Sequence, residues 1–390
     1  GEWPNDGNFC MDGLVYPDRR PHTGLLEFKN IYRPARVTHY DQSTGTLTLH
    51  NYMDFVDLTD YATLSYELNC DGQVVSAGSV PFPGGFRLPP HADGTLPLPL
   101  DVPAKGKCFV NICYHCKQDS ALIKADHLLG FDEIPLQNSD PSNQDAVQLL
   151  GRPAGDGLIT IRETDRMLVL SCEQFTYVFN KLTGLFDKMT FANEPLLDQP
   201  MGFNVWRAPT DNDRKLKADW YAAHYDHAAT NAYHTEYTVT ASGVTLHTHV
   251  GIAAICVQKF LDLDVTWTVA NNGSVDLALH AQRNTVFPEL PRFGLRLFLP
   301  QEMSQVNYYG MGPMECYRDK HHAASHSSYT ATVWQLHEDY IRPQENGSHF
   351  DCDYVMLAGD AVRLTAVGTQ PFSFNASHYT QEELTRKANN

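Results

Sequence analysis

Short runs that alternate apolar and polar residues, each closed by a tight-turn sequence, recur along most of this chain. A period of two fits strands and cannot be sustained by a helix. Residues 46–52 read T-L-T-L-H-N-Y, and residues 63–68 alternate again before the turn Asn69-Cys70-Asp71-Gly72. Asp-Gly between two alternating runs is a strong hairpin signal. Residues 107–115 and 128–136 add further strands, so 34–137 is predicted to be a small sandwich of immunoglobulin-like architecture. Residues 138–156 carry N-S-D-P-S-N-Q-D and P-A-G-D-G and read as a linker. Beyond them, strand-like runs at 158–163, 167–171, 174–179, 237–241, 243–251, 260–270 and 362–367 imply one large sandwich over 157–390. One amphipathic helix is expected near 215–229, where Trp220, Ala223 and His227 recur at helical spacing. Residues 1–33, with Pro4, Pro17 and Pro21, are loop-like and too short for a domain. With no initiator Met, the chain is expected to be a piece of something longer.

A length of 390 residues accommodates two or three domains. The net charge of -17 repels polyphosphates, which argues against nucleic acid and anionic membrane as partners. Neither a long apolar run nor a charged-then-apolar leader is present, and a cytoplasmic location is expected. Nine cysteines without regular spacing read as reduced, buried thiols. Cys113 and Cys116 lie in the alternating F-V-N-I-C-Y-H-C, where residues three apart face opposite ways, which disfavours a zinc or redox pair.

Three histidine groups have metal-ligand character. His247 and His249 share one face of a predicted strand, His224 and His227 share a predicted helix, and His321, His322 and His326 fall in a polar loop. None has a partner at a recognisable spacing, so solvated or hydrogen-bonded histidines are expected. Carboxylates concentrate in R-A-P-T-D-N-D (207–213), G-M-G-P-M-E-C-Y-R-D (310–319) and P-Q-E-N-G (343–347). Glu315 and Glu345 could form the carboxylate pair a glycosidase requires, or could satisfy turn backbone. Asp211 or Asp213 stands where an N-cap for the 215–229 helix is wanted. Neither a nucleophile elbow nor a phosphate-binding loop occurs.

These three motifs, together with F-C-M-D-G-L-V-Y-P-D-R-R-P-H-T-G-L-L-E-F-K (9–29) and F-S-F-N-A-S-H-Y-T (372–380), resemble, in family order, the large bacterial β-galactosidases of glycoside hydrolase family 2. The resemblance implies an all-β chain: a remnant of a (β/α)8 barrel over 1–33, an immunoglobulin-like sandwich over 34–137, and a galactose-mutarotase-like supersandwich over 157–390 that lacks its last strands. It implies a parent that hydrolyses terminal β-D-galactosides such as lactose with retention, using sodium and magnesium. Both catalytic glutamates would lie upstream, leaving no catalytic residue in this chain and a fragment inactive alone. The Phe9 carbonyl and Asp12 match positions that hold a monovalent cation, with Asp12 where Asn is common and the rest of the shell upstream. Asp211, Asn212, Asp213 and Arg214 match a loop on the substrate-pocket rim. Cys316 and Arg318 depart from the usual residues of their turn. The implied partners are the β-galactoside, the catalytic barrel and further copies of the parent. Glu315, Glu345 and the histidines leave open a stand-alone sugar-binding or mutarotase-like module.

Overall fold

The computed structural model describes residues 14–152, 155 and 157–387. Strands dominate and helices are few and short, so the chain is an all-β assembly of packed sheets. Ala35–Asp41, Thr46–Asn51 and Asp93–Pro97 make one sheet of the first sandwich. Gln73–Val80, Ala62–Cys70, Cys108–Cys116 and Leu128–Pro135, in that spatial order, make the other. Thr46–Asn51 alternates as its sequence requires and turns Leu47 and Leu49 into a core shared with Leu64, Leu68, Val110, Ile112 and Tyr114. Each such fully buried aliphatic contributes roughly 1.5–3 kcal/mol. The predicted hairpin closes with Asp71 and Gly72 at φ 49° and 82°, and Cys70 pairs with Gln73 across it.

The second half contains two meanders. Thr160–Glu163, Met167–Ser171, Phe175–Asn180, Leu185–Phe191 and Glu194–Pro195 lie in sequence order, as do Ala229–Thr240, Gly243–Ala253, Leu261–Ala270 and Val275–Arg283. Both sheets bury one aromatic-rich core, in which Phe186 meets Trp267 edge-on at 5.3 Å and the Trp267 indole N–H donates to the Gly184 carbonyl at 3.0 Å. A separate sheet, in the spatial order Ser325–Thr332, Gln305–Gly312, Ser348–Ala358 and Arg363–Asn375, has its own small core around Val306, Tyr308, Cys352 and Val355. Gln199–Asn204 pairs with Gly294–Phe298 in a two-stranded sheet beside these, and the last four-stranded sheet packs back on the first sandwich.

Three expectations need correction. Residues 1–33 are not all loop: Thr23–Ile31 is a helix that buries Thr23 and Asn30 while Phe28 and Ile31 stay exposed. Its inward face is polar, so apolar periodicity could not reveal it. The helix placed at 215–229 spans only Leu216–Ala222, because His224 turns left-handed at φ 57° before a single 3-10 turn, Tyr225–His227. His224 and His227 therefore do not share a helix. The 138–156 stretch also contains a helix, Gln144–Leu150, whose first turn is capped by the Asn143 side chain accepting from the Ala146 N–H at 2.9 Å.

Candidate functional site

Four of the motifs singled out in the sequence, from positions far apart in the chain, converge on one polar junction. The central group is Glu315, buried at 6% exposure. Its Oε1 accepts from the Thr23 hydroxyl at 2.9 Å, the Tyr340 phenol at 2.5 Å and the Lys320 ammonium at 2.8 Å. Its Oε2 accepts from the Gly347 N–H at 2.9 Å. Burial resists ionisation of this carboxyl, but Lys320 and the hydrogen bonds outweigh it and hold the carboxyl below its usual range. Beside it the Tyr16 phenol donates to Glu338, whose carboxyl burial pushes up. The His22 ring stacks on Tyr16 at 3.7 Å. A shallow cleft of about 440 Å³, lined by Tyr16, Pro17, Asp18, Arg20, Asp339 and Ile341, opens at this edge.

Glu345 is engaged elsewhere. Its backbone N–H donates to the Ala208 carbonyl at 3.0 Å, and its enclosed carboxylate forms an ion pair with Arg292. Neither carboxylate oxygen completes a well-aligned hydrogen bond, and burial pushes the carboxyl up against the pull of Arg292. Glu315 and Glu345 thus sit on different cations, each walled in by protein. This geometry uses both as structural carboxylates. The Asn375 carboxamide donates to the Asn346 carbonyl, bringing the 372–380 motif to the same place.

The 207–213 motif ends in a 3-10 turn, Asp211–Arg214. The cap of this turn is Thr210, and the helix Leu216–Ala222 that follows has Lys215 at its N-cap, so neither Asp211 nor Asp213 caps that helix. Asp213 is the buried return partner of a capping box: its Oδ2 accepts from the Thr210 N–H at 3.0 Å, while its Oδ1 pairs with Arg207 at 2.6 Å. The Asp211 N–H donates to the Gln344 side chain at 3.3 Å. Asp211, Asn212 and Arg214 are exposed. The segment is braced from behind, where the Ala208 N–H donates to Gln381 at 2.7 Å and the Trp206 indole donates to Thr385 at 3.1 Å. A rigid platform therefore presents three polar side chains outward. Phe9 and Asp12 lie outside the described residues.

The histidines separate into different environments. His249 lies between Asp262, at 2.8 Å, and Asp264, at 3.0 Å, while His247 reaches Thr266 at 3.1 Å. His326 is not a loop residue: it lies on Ser325–Thr332, buried, with Nδ1 2.6 Å from Glu133 and Nε2 2.8 Å from Asp351. Burial opposes its protonation, but the two carboxylates prevail and raise its pKa. Spacing gave no hint of this bridge, because Glu133 belongs to the first sandwich and Asp351 to the last sheet. Cys113 and Cys116 point to opposite faces of Cys108–Cys116, as the alternation requires. Among the described residues no group of His, Cys, Asp and Glu is arranged to hold a metal ion, and no helix is long and apolar enough to cross a membrane.

Comparison with known proteins places these features. A family model described as "Beta galactosidase small chain" matches residues 171–390, and one described as "Beta-galactosidase, domain 4" matches 47–137. A beta-galactosidase of Actinobacillus pleuropneumoniae is 39% identical over 99% of this chain and 37% of its own length. Those of Staphylococcus xylosus and Pseudoalteromonas haloplanktis are 32% and 26% identical, each over 99% of this chain and 38% of their own length. The chain spans a little over a third of the length of these relatives.

Proposed function

Since the chain belongs to the beta-galactosidase small-chain family, we propose that it forms the non-catalytic β region of an enzyme hydrolysing terminal β-D-galactosides such as lactose with retention. The observation that carries this reading is the state of the two glutamates. A retaining site needs two carboxyl groups roughly 5–5.5 Å apart and open to substrate, whereas Glu315 and Glu345 are enclosed and paired with Lys320 and Arg292. Catalytic glutamates would then come from a barrel upstream, and the chain alone would be inactive.

In this reading 34–137 spaces the barrel from a mutarotase-like second half, and exposed Asp211, Asn212 and Arg214, held by buried Asp213, form part of the pocket rim. Sodium and magnesium would serve the whole enzyme, with Phe9 and Asp12 contributing to a monovalent-cation site. Cytoplasmic location and assembly into a homo-oligomer belong to the same proposal. The alternative of a stand-alone sugar-binding or mutarotase-like module finds less support, because its candidate carboxylates are buried.

The test is hydrolysis of a chromogenic β-galactoside by the purified chain with Mg²⁺ and Na⁺, beside a galactose titration. No turnover and no saturable binding are expected. Turnover abolished by Glu315→Gln or Glu345→Gln would overturn the reading, and saturable galactose binding would favour the alternative.

A further inference from the structure

Cys70 and Cys108 are register partners on the adjacent antiparallel strands Ala62–Cys70 and Cys108–Cys116. Directly opposed residues in such a ladder hold their Cα atoms about 4.5–5.5 Å apart, inside the roughly 4.4–6.8 Å window of a disulfide. Both thiols are free and buried, and their sulfurs are 2.8 Å apart. Among the described residues no other two sulfurs lie within hydrogen-bonding distance. The niche is shaped to the sulfurs. A methyl group on Gly106, itself at φ 104°, would come within 2.5 Å of the Cys70 sulfur. The Cys70 thiol donates to the Lys105 carbonyl at 3.4 Å, and the Asn138 amide lies 3.6 Å from the Cys108 sulfur.

We infer that Cys70 and Cys108 are a modification site: a dithiol that a peroxide or a small disulfide oxidant converts to an intramolecular cystine. With hydrogen peroxide, one thiolate attacks an oxygen, the O–O bond breaks, and a sulfenic acid forms as water leaves. The second thiol displaces the sulfenic hydroxyl as a second water, leaving the S–S bond. Two thiols are oxidised by two electrons, and one peroxide is reduced to two waters. Burial pushes Cys70 up to about 12 and raises Cys108 as well, so thiolate is scarce at neutral pH. Oxidation is therefore slow there and accelerates as pH rises.

The bond would staple two of the places where the first sandwich meets the last sheet. Cys70 runs directly into the Asp71–Gly72 turn packed on Ser328, and Cys108 follows Lys107, whose ammonium lies 3.1 Å from Asp353. Oxidation should consequently stiffen that contact as well as the sandwich.

The full 390-residue chain, fully reduced, is exposed to oxidised glutathione or hydrogen peroxide at pH 7 and pH 9 and mapped by non-reducing peptide mass spectrometry. The expected result is a 70–108 cross-linked peptide two hydrogens lighter than the sum of its parts, formed faster at pH 9, with an upward shift of the melting midpoint reversed by dithiothreitol. Cys70→Ser and Cys108→Ser should each lose both the cross-link and the shift. Sulfinic acids without a cross-link, a link between other cysteines, or unmodified thiols after prolonged exposure would each overturn the inference. The wild-type peptide map is decisive even where a variant folds poorly.

Discussion

Replacing Glu315 by Gln removes the charge on which the junction is organised while keeping the side chain's shape. The carboxylate receives five donors: Thr23, Tyr340 and Lys320 on one oxygen, and the Gly347 N–H and the more distant Tyr317 phenol on the other. A glutamine offers one acceptor and one amide, so in either orientation an N–H faces a donor and the Lys320 ammonium loses its counter-charge. Breaking a buried pair from one side costs about 3–5 kcal/mol, a large part of the roughly 5–15 kcal/mol that stabilises a domain. With a typical urea dependence of about 1–3 kcal/mol per M, the midpoint should fall by roughly 1–5 M. Because Thr23 is one of these donors, trypsin should also cut more readily at Lys29, in the helix that Thr23 opens. Glu315→Gln combined with Lys320→Met should recover part of the loss, since no ion is then stranded. The folded carboxyl lies below the ordinary carboxylate range, so its stabilisation is present above about pH 4.3 and lost as pH falls through the folded value. The difference between wild type and variant should therefore shrink in acid. A loss under 1 kcal/mol, unchanged tryptic cleavage, or a gap that persists in acid would refute the structural role assigned to this carboxylate.

The His326 bridge has the opposite sign. Its raised pKa means that its contribution is complete below about pH 6.5 and is lost as pH rises through the folded value. Melting of wild type against His326→Gln between pH 6 and pH 9 should show the gap narrowing toward alkaline pH, with Lys107, Asp353, Glu133 and Asp351 unchanged around it. Gly72→Ala would set a methyl 2.1 Å from the Ser328 hydroxyl at a left-handed φ of 82°. It should cost roughly 2 kcal/mol or more in chemical denaturation and loosen the contact between first sandwich and last sheet.

Elements whose inward face is apolar and regular were legible from sequence alone. Met167–Ser171 and Leu261–Ala270 follow the alternation closely, and the Asp71–Gly72 hairpin follows from its dipeptide. Gln305–Gly312 was hidden because its buried run, V-N-Y-Y-G-M-G, ends in glycines and a polar turn that read as loop. Ser325–Thr332 was hidden because its sequence, S-H-S-S-Y-T-A-T, offers only Tyr329 and Ala331 to the apolar core, while His326, Ser327 and Ser328 meet polar partners on the first sandwich. The site divides in the same way. The motifs marked the right segments, but no spacing rule reports that residue 23 meets residue 315, or that residue 133 meets residue 326. Those pairings arise from how sheets pack, and they decide whether a carboxylate is a reagent or a tether.

The helix Thr23–Ile31 makes three separate attachments. Thr23 holds Glu315, Glu27 accepts from the His322 and Ala323 amides at 3.0 and 2.9 Å, and Asn30 both donates to and accepts from the Phe131 backbone. A rod pinned once swivels, and a rod pinned twice still turns about the line between its pins. Residues 23, 27 and 30 recur at helical spacing on one face, so the pins form a seam along most of the helix and resist its swinging away from either partner. This helix therefore acts as a fixed bracket between the first sandwich and the last sheet. A pull on its N-terminal end is shared between the two, since the attachments at Thr23, Glu27 and Asn30 would have to yield together.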